Sequence, residues 1–215
     1  AWEAGRQFCR EQQDLARRGL CRNLIGVIAE GADSGAITDD EMMAMMIVLL
    51  IGGVSTMAGA AAAALMLLAQ HPHAAARIRA DPDLAHQHLE EALRLEPPVS
   101  LVMRFAAGGA RIGERRLTVG TPVYVMIAVA CHDPAAFPDP YSYNLDRDNA
   151  NTHLAFGHGI HTCIGNSITR SLVPLLIQKT VARFNTLRIA ATADPIQYDY
   201  ATPRARHLKR LMLTV

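Results

Sequence analysis

Apolar residues recur at helical spacing near the start of the chain, where Leu15, Leu20, Leu24, Ile25 and Ile28 stand among charges. This pattern predicts one or two helices over residues 2–30, followed by a turn from Gly31 to Gly35. Thr38-Asp39-Asp40-Glu41 reads as a capping box, with Thr38 as N-cap and Glu41 three residues on. The helix it opens should run to about Gln70, where His71-Pro72 stops it. At the α-helical rise such a rod is about 45–50 Å long, enough to cross a domain. Gly52-Gly53 in its middle thins one side, permitting a bend or the close approach of a flat ligand.

Pro72 to Arg79 reads as a short helix, and Pro82 opens another that ends near Glu96-Pro97-Pro98. The pattern then changes period. Val99–Ala106, Arg111–Ile112, Leu117–Val119 and Pro122–Val129 read as short strands separated by glycine-bearing turns. Asp133 to Asn151 is rich in Pro, Asp, Asn and Tyr and lacks a regular apolar repeat, so tertiary contacts must hold it. A helix follows Gly165 and ends near Arg183, with edge strands expected at Leu187–Ile189 and Leu211–Val215. The expected fold class is mainly α with a small β region. No repeat or flexible linker divides the chain, so residues 1–215 are read as one portion of a domain.

Composition narrows the function classes. Half of the 215 residues are hydrophobic and 19% are charged, which argues against a disordered chain. The formal net charge is +1 with no long basic block, a poor match to nucleic acid. Four scattered cysteines (Cys9, Cys21, Cys131 and Cys163) form neither a disulfide framework nor a CxxC pair, so a reducing cytoplasm fits best. Residues 1–20 are polar and charged, unlike a signal peptide. Met42 to Ala69 carries no charge and satisfies the length of a membrane span, but its Ala, Gly, Ser and Thr content equally suits a helix buried through a soluble domain. The expectation is no membrane.

The chemistry concentrates in Phe156-Gly157-His158-Gly159-Ile160-His161-Thr162-Cys163-Ile164-Gly165. Three readings of Cys163 are open. It is a small buried hydrophobe, the ordinary fate of a free cysteine; a zinc ligand with His158, His161 and His132; or a thiolate bound to iron. The zinc spacing matches no strong signature, and zinc gives no reason for the glycine-bearing central helix. Glycines 157, 159 and 165 permit unusual backbone conformations and a close approach to a planar ring. Glu91 and Arg94, three apart on one helical face, are ordinarily a solvated pair. A buried Arg94 would instead use its five donors to tie the irregular 133–151 stretch to the helix.

Taken together and in order, these motifs resemble the C-terminal half of a bacterial cytochrome P450. The cysteine loop is similar to the family's haem-binding loop, Glu91 and Arg94 to its ExxR pair, and Asn144-Leu145-Asp146-Arg147 to the segment packed against that pair. Leu50 to Met57 is similar to the oxygen-groove segment of the long central helix. The resemblance implies a partial P450 fold lacking the N-terminal half, with haem b as cofactor and Cys163 as its axial thiolate. It also implies Phe156, Gly157 and Gly165 in the ligand loop, His161 and Arg104 at the haem propionates, and Gly52 and Gly53 lining the distal face. Thr56 matches the threonine that handles bound dioxygen and its protons.

Two departures qualify that reading. Ser55 stands where the family usually has Asp or Glu, and a serine relays a proton through water without bearing a charge. The missing half would also leave the central helix uncovered, a problem that a second copy, a separate N-terminal chain or a larger parent of which this is a fragment would each solve. The implied activity is monooxygenase-type oxidation of a small apolar molecule, fed by a ferredoxin or similar electron donor docking on the Cys163 side near Arg170. The alternatives are a haem-bound cyclase or dehydratase, or a non-catalytic P450-like partner of a biosynthetic enzyme.

Overall fold

A computed structural model describes residues 2–20, 23–199 and 207–215. Cys21 lies outside them. The chain divides into two compact units, residues 1–55 and 56–215, with the boundary inside one continuous helix.

In the N-terminal unit, α1 (Trp2–Arg17) and α2 (Leu24–Asp33) precede α3 (Asp39–Gln70). The expected run over 2–30 is therefore broken into two helices. Asn23 starts the second, its side-chain oxygen accepting from the Ile25 and Gly26 amides. The capping box forms at the start of α3: Glu41 Oε2 accepts the Thr38 amide at 2.8 Å, and Thr38 Oγ1 accepts the Glu41 amide at 3.2 Å. This satisfies two amides that a helix end leaves without partners. Met42, Met43, Met46 and Ile47 bury one face of α3 against Cys9, Ile28 and Ala29. Val48, Ile51 and Val54 remain about two-thirds exposed, so this stretch of helix has an uncovered apolar side. α3 is long and apolar enough to cross a membrane by length and composition, a test that the core helix of a soluble protein also meets.

In the larger unit, the small residues Ala60 and Ala64 of α3 allow close packing with α4 (Pro72–Ala80), α5 (Leu84–Leu95) and α7 (Asn166–Arg183). Leu68, Ile78, Leu89, Leu93 and Ile177 fill this core and are almost wholly buried. Each contributes about 1.5–3 kcal/mol relative to exposure. Truncating Leu89 to Ala should lower stability by about 2–5 kcal/mol in a urea titration; a change below 1 kcal/mol would show that the site can collapse around the loss.

The β elements are short antiparallel pairs. β1 (Val102–Phe105) pairs with β4 (Pro122–Val125), and β2 (Arg111–Ile112) with β3 (Arg115–Arg116). β5 (Arg188–Ile189) pairs with β8 (Leu213–Thr214), and β6 (Ile196–Asp199) with β7 (His207–Leu211). Two expectations are corrected. Leu117–Val119 is not a strand, because a tight turn with Gly113 at φ 56° brings Arg115–Arg116 back onto β2 instead. Pro122–Val129 splits at Met126 into β4 and a helical turn, α6 (Ile127–Ala130), which buries Ile127. The irregular 133–151 stretch has no helix or strand before a 3-10 turn at Ala150–Thr152.

Candidate functional site

Adjacent glutamates on α5 organise the centre of the larger unit. Glu91 and Arg94 are both fully buried and joined by two charge-assisted hydrogen bonds, Nε to Oε2 at 2.7 Å and Nη2 to Oε1 at 2.9 Å. Arg147 also reaches Glu91 Oε1 at 3.1 Å, and the Asn144 amide donates to the same oxygen at 3.0 Å. The remaining guanidinium donors go to carbonyls of the irregular stretch and to that of Cys131 just before it. Arg94 takes Cys131, Pro140 and Ser142; Arg147 takes Pro138, Asp139 and Ser142. Asp139 has a left-handed φ of 47°, uncommon outside glycine, and its turn presents three consecutive carbonyls to two arginines. Burial therefore converts the Glu91/Arg94 motif from a solvated pair into the strap that holds a segment with no ladder of its own.

The cysteine loop is built from backbone bonds. The Phe156 carbonyl accepts the Cys163 amide at 2.8 Å, and the Leu154 carbonyl accepts the Gly157 amide at 2.8 Å. Gly157 and Gly159 have φ of 71° and 77°, which a side chain would strain. Gly165 is different. Its φ is −84°, so its backbone needs no glycine; a Cβ there would stand 3.8 Å from Cys163 Sγ. A 3-10 turn over Gly159–His161 leads to Cys163, and α7 begins three residues later. Asn166 Nδ2 donates to the Cys163 carbonyl at 2.7 Å, fastening the loop to the first turn of α7.

Cys163 is exposed, whereas Cys9 and Cys131 are buried and burial raises their thiol pKa values. The buried-hydrophobe reading of Cys163 is thus excluded. The zinc reading also fails: among the described residues no group of three His, Cys, Asp or Glu side chains converges as a metal site. His132 instead bonds the Ala128 carbonyl and stacks on Tyr141. Ile160 and Ile164 flank the thiol at 97% and 87% exposure. A single thiol between uncovered apolar side chains fits a large apolar ring system with one axial ligand, and so fits haem.

The other expected site residues are placed as follows. His161 is exposed in the 3-10 turn, and Arg104 lies on β1 with Nη1 on the Met103 carbonyl. Gly52, Gly53 and Ser55 belong to the N-terminal unit; Ser55 Oγ donates to the Ile51 carbonyl at 3.4 Å. Thr56 opens the larger unit. Arg170, the expected docking residue, is already paired: Glu90 accepts from its Nε at 2.7 Å and its Nη2 at 2.9 Å.

Two groupings were not expected from the sequence. Glu90, Arg170, His153 and Phe156 assemble beneath the cysteine loop. His88 is wholly buried, with Nδ1 2.7 Å from the Tyr143 hydroxyl and Nε2 3.0 Å from the Ala64 carbonyl. Its only clue was position, since His88 falls on the apolar face of α5 beside Leu89 and Ala92.

The cytochrome P450 family profile matches residues 7–200. The chain belongs to the cytochrome P450 family. Among relatives, the biotin biosynthesis cytochrome P450 of Bacillus subtilis (strain 168) is 30% identical, over 85% of this chain and 46% of its own length. The cyclomarin C epoxidase CymV of Salinispora arenicola (strain CNS-205) is 32% identical, over 92% of this chain and 48% of its own length. The crystal structure of P450BioI in complex with a hexadec-9Z-enoic acid ligated acyl carrier protein superposes with a TM-score of 0.87 at 28% identity. That match covers 98% of this chain and 53% of P450BioI. The chain therefore spans about half the length of these P450s and has the corresponding partial P450 fold. The family is one of haem-iron proteins, in keeping with the single exposed thiol of the loop.

Proposed function

We propose that this chain is the haem-binding part of a P450 oxidoreductase performing monooxygenase-type oxidation of a small apolar molecule in the cytoplasm. The observation that carries the reading is the exposed Cys163 thiol, presented by a glycine-bent loop between Ile160 and Ile164. Cys163 would hold the iron of haem b through its thiolate. Phe156, Gly157 and Gly165 would shape its loop, and His161 and Arg104 would bind the propionates. Bound haem iron supplies the one-electron and dioxygen chemistry that protein side chains lack. The chain's own contribution is to hold the thiolate, exclude water with apolar side chains and deliver protons. By resemblance, Thr56 is the hydroxyl that passes protons at the distal face, with Ser55 beside it and Gly52 and Gly53 leaving room. An electron donor of ferredoxin type completes the reaction.

Ser55 supports a second reading. Its hydroxyl is turned to the Ile51 carbonyl, and no carboxylate stands in its place to drive proton delivery. A haem-bound cyclase or dehydratase needs no such relay. Product analysis with an electron supply separates the two: hydroxylated product supports oxidation, and rearranged product formed without electrons supports the second reading.

Haem titrated into the purified chain, then reduced under carbon monoxide, should give a thiolate-type Soret band. Cys163→Ser should abolish that band. An unchanged spectrum in the variant would remove Cys163 from its role, and failure of the wild-type chain to take up haem would sink the reading. The exposed faces of α3 (Val48, Ile51, Val54) and α7 (Leu172, Leu175) call for a covering surface, supplied by another copy, by an N-terminal P450 partner or by a larger P450 of which this chain is a part. Light scattering should accordingly give a mass above 23.3 kDa for the isolated chain. A monodisperse monomer would refute self-association and leave an N-terminal partner or the remainder of a larger P450.

A further inference from the structure

Glu90 lies next to Glu91 but serves a different segment. Its two oxygens grip Arg170 of α7 in the bidentate geometry that gives an arginine–carboxylate pair both strength and direction. The Arg170 guanidinium carbon then stands 4.7 Å from the centroid of the Phe156 ring, a cation–π distance. His153 closes the group from the other side. Its side chain is fully buried, its Nε2 is 3.1 Å from Glu90 Oε2, and its ring lies 5.7 Å from that of Phe156. The Ala155 amide donates to His153 Nδ1 at 3.1 Å, which assigns the ring proton to Nε2, facing Glu90. That contact is too bent for a full hydrogen bond and acts as an electrostatic one. Burial alone would raise the Glu90 pKa, but Arg170 and His153 outweigh it and hold the carboxyl at about 2.

Phe156 is held by this group through its ring, and its backbone carbonyl accepts the Cys163 amide. The ring and the carbonyl belong to one residue, so fixing the first orients the second. We infer that Glu90, Arg170 and His153 form a charged clamp that positions Phe156 and, through the Phe156 carbonyl, the Cys163 loop. These are positioning residues acting through Phe156. The inference rests on Cys163 being the haem ligand for its consequence, but the clamp itself is a property of the polypeptide.

The test reads both levels. Hydrogen exchange followed by mass spectrometry on the full chain, without haem, should show the Cys163 amide exchanging about tenfold faster or more in Glu90→Gln and in Arg170→Gln. The exposed Arg77–Asp146 pair is also bidentate, through Nη1 and Nη2, and Arg77→Gln should leave that amide unchanged. Phe156→Leu should also accelerate exchange, and adding Glu90→Gln to it should do little more, because the clamp then has no ring to hold. Unchanged exchange in Glu90→Gln and Arg170→Gln, equal acceleration by Arg77→Gln, or additive effects with Phe156→Leu would each overturn the clamp. Arg170→Gln, at a partly exposed position, keeps the test usable if Glu90→Gln does not fold.

In the haem-loaded chain the clamp variants should release haem about 10–100-fold faster, with a changed thiolate Soret band, as loss of a partner behind a ligand commonly does. Equal release rates would overturn the link from clamp to ligand. A wild-type chain that binds no haem would defeat the functional reading, while the exchange result would still decide the clamp.

Discussion

Replacing Glu91 with Gln is expected to destabilise the larger unit by about 3–5 kcal/mol, the usual cost of removing one partner from a buried ion pair. The magnitude follows from what is stranded. Arg94 is fully buried and Arg147 nearly so, and both use Glu91 Oε1 or Oε2 as their only carboxylate contact among the described residues. Gln retains the shape and one acceptor oxygen but not the charge, leaving two guanidinium groups in a low-dielectric interior. The Asn144 amide also loses its anionic acceptor. Arg94→Leu should cost a similar amount by the converse route, leaving Glu91 with Arg147 as its one cation and freeing the Cys131 and Pro140 carbonyls. Chemical denaturation of each variant measures the effect, and proteolysis should nick the 133–151 stretch first. A loss below about 1 kcal/mol would mean that the pair is solvated in the working protein.

Stability should also fall as the pH drops from 6.5 towards 4. His88 is buried and carries a pKa lowered from 6.5 to about 4, mainly by burial, against the Ala64 carbonyl that favours its protonated form. The unfolded chain binds a proton here at about pH 6.5 and the folded chain does not until about pH 4. Stability is therefore full above pH 6.5 and is lost on acidification, at up to about 1.4 kcal/mol per pH unit and about 3 kcal/mol in all. Glu90 adds a second loss at lower pH. Its folded pKa of about 2 lies below the ordinary 4.5, so its stabilisation is present above pH 4.5 and disappears between 4.5 and 2. Thermal melts of the wild-type chain and of His88→Gln across this range separate the two. The variant should lose markedly less stability than wild type from pH 6.5 to 4.5, where His71, its pKa lowered by burial, still contributes, and it should still fall below pH 4.5. A wild-type chain equally stable at pH 6.5 and 4.5 would contradict a neutral buried His88.

The same residues show why some of the site could be read in advance and some could not. Cys163 and its glycines are close in sequence, and left-handed φ at Gly157 and Gly159 is a local requirement that glycine announces. Arg170 is the opposite case. As an arginine in the first half of α7 with no acidic residue near it in sequence, it reads as free to meet a partner, yet Glu90, eighty positions earlier, neutralises it. No local pattern distinguishes a solvated cation from one claimed by a distant carboxylate. Gly165 illustrates a third situation: the residue type was informative, but the reason concerns space beside the thiol rather than backbone conformation.

The strands divide along similar lines. Arg111–Ile112 is a strand as expected, whereas the strand expected at Leu117–Val119 lies instead at Arg115–Arg116, because its position depends on the Gly113 turn and not on apolar content. The β6–β7 pair is not evident in advance: Ile196-Gln197-Tyr198-Asp199 alternates for only four residues, and His207–Leu211 does not alternate.

By itself the amino-acid sequence determined the helices apart from the single turn of α6, the capping box, the bent cysteine loop and the P450 family. All of these depend on residues a few positions apart or on motifs kept in order along the chain. Tertiary structure alone decided that Glu91 and Arg94 are a buried strap, that Glu90 and Arg170 brace Phe156, and that His88 is held neutral. These outcomes depend on burial and on partners brought from far along the chain, because the energy of a charge is set by the medium and neighbours that folding provides.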